Sequence, residues 1–258
     1  MTEAAPTTAP LLRMAGIAKR FPGVQALDDV DFAVALGEIH ALLGENGAGK
    51  STLLKILSGA QQPDAGTIEL AGERVELATP HDAQRRGIVT IYQEFTLAPN
   101  MTIAENVFIG REPGPRLFVS WRRMAAETRA ITSRLGLDLD PFALVRDLSV
   151  AEQQMVEIAR ALSMRSQLIV MDEPTSALSS TEVEKLFRIV RDLRAAGLGI
   201  IFVTHRLDEV MALCDRFTVL RDGRQVGSGA VADTTIDGII QLMVGRAVNT
   251  LFAHRAAA

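Results

Sequence analysis

The segment GENGAGKS, at residues 44–51, limits what this chain can fold into more than any other part of the sequence. It has the pattern G-x-x-x-x-G-K-S/T and lies between a predicted strand, EIHALLG, and a predicted helix, STLLKILSG. In such a loop the backbone N–H groups converge on phosphate oxygens, helped by the positive end of the following helix. A flexible glycine turn is the alternative, but the strand–loop–helix context favours an α/β fold with a nucleotide-binding loop.

The same segment predicts contacts with a nucleotide and its metal ion. Lys50 would reach the β- and γ-phosphates, and the Ser51 hydroxyl would bind Mg²⁺. The nucleotide-binding residues expected here are Gly44, Glu45, Asn46, Gly47, Ala48, Gly49, Lys50, Ser51 and Thr52.

Two adjacent carboxylates, Asp172 and Glu173, follow the apolar run LIVM at residues 168–171. A run of this kind predicts a buried strand of a parallel sheet, and open α/β sheets bind ligands at the carboxyl ends of their strands. Asp172 would hold Mg²⁺ or its waters, and Glu173 would accept a proton from an attacking water. The alternative is that DEPT only begins a helix, where acidic residues are favoured.

The rest of the chain predicts a mixed architecture. Short β-rich runs separated by turns extend from Leu11 to Leu77, and residues 101–147 are mostly helical. Strands and helices then alternate up to a predicted hairpin around Asp222 and Gly223. We therefore expect an α/β parallel-sheet core with an N-terminal antiparallel part and an inserted helical subdomain.

The helix predicted in DLSVAEQQMVEIARAL begins with a capping box, in which Ser149 and Glu152 would satisfy each other's backbone donors. Taken alone, this is an ordinary well-capped helix. Together with GENGAGKST, Gln93 after a strand, MDEPTSAL and His205 in IFVTHR, it makes a chain that resembles an ATP-binding cassette (ABC) transporter ATPase. The resemblance extends over roughly residues 11–246, and these five motifs in this order are highly specific.

The resemblance implies the P-loop NTPase fold of ABC proteins. The expected ABC ATPase domain is 11–246, with the helical subdomain at about 94–164 inserted in the α/β core. Residues 1–10 and 247–258 are expected to be tails. MTEAAPTTAP lacks the basic and apolar regions of a secretory signal and indicates a disordered lead-in, and HRAAA at the end is interpreted in the same way.

The resemblance also implies roles for single residues and for ATP and Mg²⁺ as ligands. Phe21 would stack on adenine, although a core phenylalanine is equally consistent with the sequence. Gln93 would ligate Mg²⁺, completing a metal set of Ser51, Gln93 and Asp172, and would sense a transmembrane partner. His205 would contact the γ-phosphate and would be catalytic together with Glu173.

A second cassette is also implied, either a second copy of this chain or a different, paired cassette, because in this family two cassettes meet head to tail over two ATP molecules. The signature residues Ser149, Val150, Ala151 and Glu152 would contact the ATP of the partner cassette. This signature departs from the family, since LSVAE replaces LSGGQ, and SALS replaces SALD with Ser179 in place of aspartate. Both changes bear on how efficiently the chain hydrolyses ATP, and neither removes a phosphate-loop or Mg²⁺ group.

Within the family, the chain is most similar to the N-terminal cassette of monosaccharide importers of the ribose, xylose, arabinose and galactoside type. Those proteins commonly carry two cassettes, and MVGRAVNTLFAHR resembles their inter-cassette segment. The likeness implies an ATP-hydrolysing subunit of a bacterial carbohydrate importer. Its partners would be a transmembrane permease, docked on the helical subdomain, and indirectly an external sugar-binding protein.

Composition limits the partners and the location. The net charge of −4 and the pI near 5.7 argue against a nucleic-acid partner, which would call for a basic face. No apolar run reaches the roughly 20 residues of a membrane span. The single cysteine cannot form an internal disulfide. We therefore expect a peripheral protein at the cytoplasmic face of the cell membrane.

Two other functions remain open from the sequence. A non-transport cassette acting on ribosomes or DNA would usually add long helical, basic or second-cassette segments. A degenerate cassette would bind ATP and only support a catalytic partner. The presence of Glu173 and His205 disfavours that reading, whereas LSVAE and SALS are compatible with it.

Overall fold

The structure is a computed structural model that describes residues 10–114 and 118–245. The strands β1–β10 of the described residues span Leu12–Phe21, Val24–Val34, Ile39–Leu43, Ala65–Leu70, Glu73–Val75, Ile88–Ile91, Leu168–Asp172, Gly199–Val203, Arg216–Arg221 and Arg224–Ala230. The helices α1–α8 span Lys50–Leu57, Pro80–Arg85, Ile103–Phe108, Trp121–Arg134, Val150–Ser163, Ser180–Ala195, Leu207–Leu213 and Ile236–Val244. The tails predicted at 1–10 and 247–258 lie outside the described residues, apart from Pro10.

A six-stranded sheet with the order β10-β9-β3-β8-β7-β6 forms the core. The five strands from β9 to β6 run parallel, and β10 pairs antiparallel at one edge. Alternate residues of β7 enter two different hydrophobic clusters: Leu168 and Val170 join one, and Ile169 and Met171 join the other. The strand is buried on both faces, which explains why it is apolar without alternation and confirms the predicted parallel core.

A second, four-stranded sheet with the order β2-β1-β4-β5 is antiparallel throughout. Its apolar side shares one cluster with α1 and with one face of the core sheet. The sequence predicts an antiparallel part here, but its pattern does not indicate β1 as a separate strand. The register of β1 against β2 shifts several times between Met14 and Arg20, and Gly16 has φ +62°, so the apolar residues of β1 do not alternate regularly.

The helical segment lies in the chain between β6 and β7, which pair directly in the core sheet. Helices α3, α4 and α5 join one cluster with the core through residues such as Val107, Met124 and Ile158. This is the inserted helical part expected of the fold; its limits at about 94 and 164 remain predictions. Across both described ranges, no helix is long and apolar enough to cross a membrane.

The predicted hairpin around Asp222 and Gly223 is present between β9 and β10. Both turn residues have positive φ, +51° and +74°, as a two-residue hairpin turn requires. The Gly223 N–H donates to the Ala48 carbonyl at 3.2 Å, and its own carbonyl accepts from the Asp28 N–H at 2.8 Å. The turn therefore joins the antiparallel sheet to the loop that precedes α1.

Candidate functional site

The loop of residues 44–49 connects the buried strand β3 to helix α1. Gly49 precedes the helix with φ +106°, provides no side-chain cap, and is followed by no acidic residue in the first turn. The first N–H groups of a helix have no partner within the helix, so this end offers donors to an anion. The backbone therefore fits a phosphate group.

Close packing explains two of the three glycines in this loop. A Cβ on Gly44 would lie 2.3 Å from the Leu220 carbonyl oxygen, and a Cβ on Gly49 would lie 2.8 Å from the Ala26 carbonyl oxygen. Neither distance is compatible with a side chain. A Cβ on Gly47 would meet no atom within 4 Å, but its φ of +84° favours glycine.

Lys50 is held inside the loop. Its Nζ donates hydrogen bonds to the carbonyl oxygens of Gly44 at 2.7 Å and Glu45 at 3.0 Å. Burial lowers the pKa of Lys50, and the nearby carboxylates Glu173 and Asp172 oppose that shift. The ammonium group thus contacts the backbone of the loop and is close enough to both carboxylates for their charge to stabilise it.

A pocket of about 540 Å³ brings nine of the predicted site residues together. The predicted residues that line it are Asn46, Gly47, Gly49, Lys50, Ser51, Thr52, Gln93, Asp172 and Glu173. Ser51, Gln93 and Asp172, the predicted metal set, offer hydroxyl, amide and carboxylate oxygens to this single space. Hard oxygen donors are the ligands that Mg²⁺ takes in proteins, so the donor set fits this ion.

Asp172 ends β7 and is partly buried. Burial raises the pKa of its carboxyl group, the adjacent Glu173 raises it further, and Lys50 opposes both effects. The environment therefore disfavours the negative charge of Asp172. A bound divalent cation would compensate that charge.

Glu173 and His205 follow neighbouring parallel strands, β7 and β8, and therefore lie side by side. The distance from His205 Nδ1 to Glu173 Oε1 is 3.5 Å. Glu173 has φ +48°, a left-handed conformation that is uncommon for a residue other than glycine, and its N–H donates to the Val203 carbonyl at 2.9 Å. Strained backbone of this kind is often found at functional sites, which supports a role for Glu173.

Some predicted residues do not line the pocket. Gly44, Glu45 and Ala48 belong to the loop but not to the pocket wall, and His205 is an exposed neighbour of Glu173. Phe21 ends β1, is 38% exposed and lies with its ring centroid 5.8 Å from Lys19 Nζ. It pairs in the sheet with Val24, which does line the pocket.

The signature residues lie elsewhere on the chain. Ser149 caps α5 in the predicted capping box: its N–H and Oγ both donate to Glu152 Oε2 at 2.8 Å. Ser149, Ala151 and Glu152 line a different pocket, of about 530 Å³, together with residues of α6 such as Lys185. One chain thus does not bring its own signature to its phosphate loop.

Two short segments that no motif indicated also line the pocket. They are residues 24–26 on β2 and the turn Asp222–Gly223. The turn was predicted as a hairpin, but a two-residue turn signal does not reveal what it packs against. The pairing of β9 with β3, together with the hydrogen bonds of Gly223 to Ala48 and Asp28, brings it to the phosphate loop.

Solved structures with this fold include two ATP-binding cassettes. The ADP conformation of MJ1267, an ATP-binding cassette of an ABC transporter, has a TM-score of 0.80 and 26% identity and covers 95% of this chain and 99% of that one. The dimeric structure of MJ0796, a bacterial ABC transporter cassette, has a TM-score of 0.73 and 25% identity and covers 85% and 98% of the two chains.

Curated relatives are similar at a higher level of identity. A putative ribose/galactose/methyl galactoside import ATP-binding protein 2 from Burkholderia cenocepacia (strain HI2424) is 53% identical over 246 residues, which are 95% of this chain and 48% of that protein. The chain thus spans about half the length of the curated relatives it matches. The family model described as ABC transporter matches residues 27–176, more than half of the 258 residues. The chain therefore belongs to the ABC transporter family.

Proposed function

We propose that this chain binds Mg-ATP in the pocket of about 540 Å³ and hydrolyses it once a second cassette completes the site. The observation that carries the proposal is the composition of this pocket. The anion-binding helix end, the three oxygen donors Ser51, Gln93 and Asp172, and the carboxylate of Glu173 share one space. This combination suits phosphoryl transfer to water.

Each residue has a distinct part in the proposed reaction. The loop N–H groups and Lys50 bind the β- and γ-phosphates, and Ser51, Gln93 and Asp172 hold Mg²⁺. When bound, the metal ion neutralises charge on the phosphate oxygens. Glu173 accepts the proton of the attacking water. His205, 3.5 Å from Glu173, contacts the γ-phosphate that the water attacks.

The second cassette is proposed to be another copy of this chain. The N-terminus of the 14-residue helix α5 is exposed at Ser149 and Val150 and lies outside the chain's own phosphate pocket. In a head-to-tail pair, the α5 end of one copy would face the γ-phosphate bound by the other. The similarity to a cassette described as dimeric supports this arrangement.

Replacing Ala151 tests whether the end of α5 faces nucleotide. An aspartate in the first turn of a helix is compatible with folding, but its charge would repel the partner's γ-phosphate. We expect Ala151→Asp to lower ATP turnover by at least about tenfold, a barrier change of about 1.4 kcal/mol, whereas Ala151→Gly stays within about twofold of wild type. Steady-state phosphate release measures both.

Ala126→Asp, at an exposed position of α4, is the matched control for an added charge and should leave turnover unchanged. Equal rates for Ala151→Asp and Ala151→Gly would show that this helix end does not face ATP.

The proposed cargo is a carbohydrate, most simply a monosaccharide. Relatives at 53% identity are named as ribose, galactose and methyl galactoside import ATP-binding proteins. We infer that this chain likewise works at the cytoplasmic face of the membrane, with a permease and an external sugar-binding protein. In permease-containing vesicles, a monosaccharide with its binding protein should stimulate ATP turnover; stimulation by amino acids instead would refute this choice of cargo.

A further inference from the structure

Glu209 is a carboxylate buried beneath the proposed catalytic residues, and none of the motifs includes it. It lies in the first turn of α7 and is 2% exposed. Its Oε2 accepts hydrogen bonds from Thr175 Oγ1 and Thr204 Oγ1, both at 2.9 Å. Its Oε1 lies 3.0 Å from Arg206 Nη1. Oε2 is therefore hydrogen-bonded to both threonines, whereas Oε1 is paired with the Arg206 guanidinium but accepts no hydrogen bond from the described residues.

The two threonines belong to the loops that carry the proposed catalytic residues. Thr175 follows Glu173 with only Pro174 between them, and Thr204 directly precedes His205. A single carboxylate thus connects the loop after β7 to the loop after β8. The Arg206 N–H also donates to Thr204 Oγ1 at 3.0 Å, which extends the network past His205.

The cost of burying this carboxylate indicates that it does more than fill space. A buried charge is unfavourable unless it is paired and hydrogen-bonded, and well-packed apolar residues often give equal or greater stability. An apolar residue, however, could not accept hydrogen bonds from the hydroxyl groups of two different loops, as Glu209 does. Such a connection restricts the relative position of Glu173 and His205, whose side chains lie 3.5 Å apart.

We propose that Glu209 is a positioning residue of the ATPase site, holding the loops of Glu173 and His205 in a fixed relation without touching nucleotide. This inference rests on the proposed function for its effect on catalysis. Its structural part, the coupling of the two loops, can be measured without any activity.

Glu209→Ala is expected to lower kcat by at least about tenfold while the KM for Mg-ATP stays within about twofold, because the phosphate loop is not affected. Glu209→Gln should recover much of the loss, since its amide oxygen can accept from the threonine hydroxyls. In a Glu173→Gln background, Glu209→Ala should add little, because residues that act as a unit have non-additive effects.

Asp208→Ala is the matched control. Asp208 lies on the same helix and also approaches Arg206, at 3.5 Å, but it is exposed and contacts neither threonine. A kcat that falls equally in Asp208→Ala and Glu209→Ala would assign the effect to Arg206 and overturn the proposal. A rise in KM without a fall in kcat would overturn it as well.

Hydrogen–deuterium exchange of the whole chain gives the readout that is independent of activity. Glu209→Ala should raise exchange in residues 173–178 and 204–208 together, and leave residues 44–52 unchanged. Thr175→Val and Thr204→Val each remove one hydroxyl and should raise exchange in the same two loops to a smaller extent. If Glu209→Ala does not fold, these two variants are used to test the coupling of the loops. Unchanged exchange in either loop would refute the coupling. A wild-type protein that shows this coupling but hydrolyses no ATP would instead refute the proposed function.

Discussion

Glu173→Gln is expected to lower ATP turnover by about 10²–10⁴-fold, the usual contribution of a positioned general base. The amide keeps the size and hydrogen-bonding reach of the carboxylate but cannot accept the proton of the attacking water. Mg-ATP binding should remain, because the phosphate loop, Ser51 and Asp172 are unchanged. Steady-state phosphate release and equilibrium binding of Mg-ATP, measured on the same preparation, separate the two effects.

Glu184→Gln, at an exposed position of α6, is the control for a glutamate-to-glutamine change and should turn over ATP as the wild type does. A degenerate cassette would behave differently. Its wild-type turnover would already be negligible, and Glu173→Gln would change nothing. Normal turnover in Glu173→Gln would remove this residue from the catalytic role proposed for it.

Asp172→Asn is expected to weaken Mg-ATP binding by about 10–100-fold, as losses at a metal site typically do. The same change should raise the stability of the nucleotide-free protein. The folded protein raises the pKa of Asp172 above its ordinary value of 3.8. The contribution of this group to the free energy of unfolding is therefore highest below pH 3.8 and falls as pH rises through the folded pKa, because Asp172 then carries a charge that its surroundings disfavour. Asparagine avoids this loss because it carries no charge at neutral pH.

Two measurements check these opposite effects. Calorimetric titration should show weaker binding of Mg-ATP to Asp172→Asn but little change for ATP in the presence of a chelator. Thermal unfolding at neutral pH, without nucleotide, should give a higher midpoint than wild type. Asp138→Asn, at an exposed position, should change neither quantity. Unchanged Mg-ATP affinity in Asp172→Asn would contradict the metal-binding role proposed for this residue.

The sequence was sufficient for features that depend on local patterns. The apolar run at 168–171 indicates a strand buried on both faces, and Ser149 with Glu152 indicates the start of α5; the structure confirms both. Strand β1 was not singled out, because its bulged pairing disturbs the alternation on which such a prediction depends.

Features that depend on packing between distant segments could not be predicted from local sequence patterns. Residues 24–26 and the turn Asp222–Gly223 line the pocket only because two sheets bring them to the phosphate loop. Glu209 gave no signal, since a charged residue in a short helix usually lies on the surface. Its threonine partners are 34 and 5 residues away in the chain.

ATP turnover per chain, measured on the wild-type protein over a range of protein concentrations with saturating Mg-ATP, tests most directly whether a second copy completes the site. If the signature end of α5 in one copy closes the phosphate pocket of another, the rate per chain rises with concentration and reaches a plateau as dimers form. A rate per chain that is the same at concentrations where the protein is monomeric and where it is dimeric would show that one chain is sufficient and would contradict the composite site.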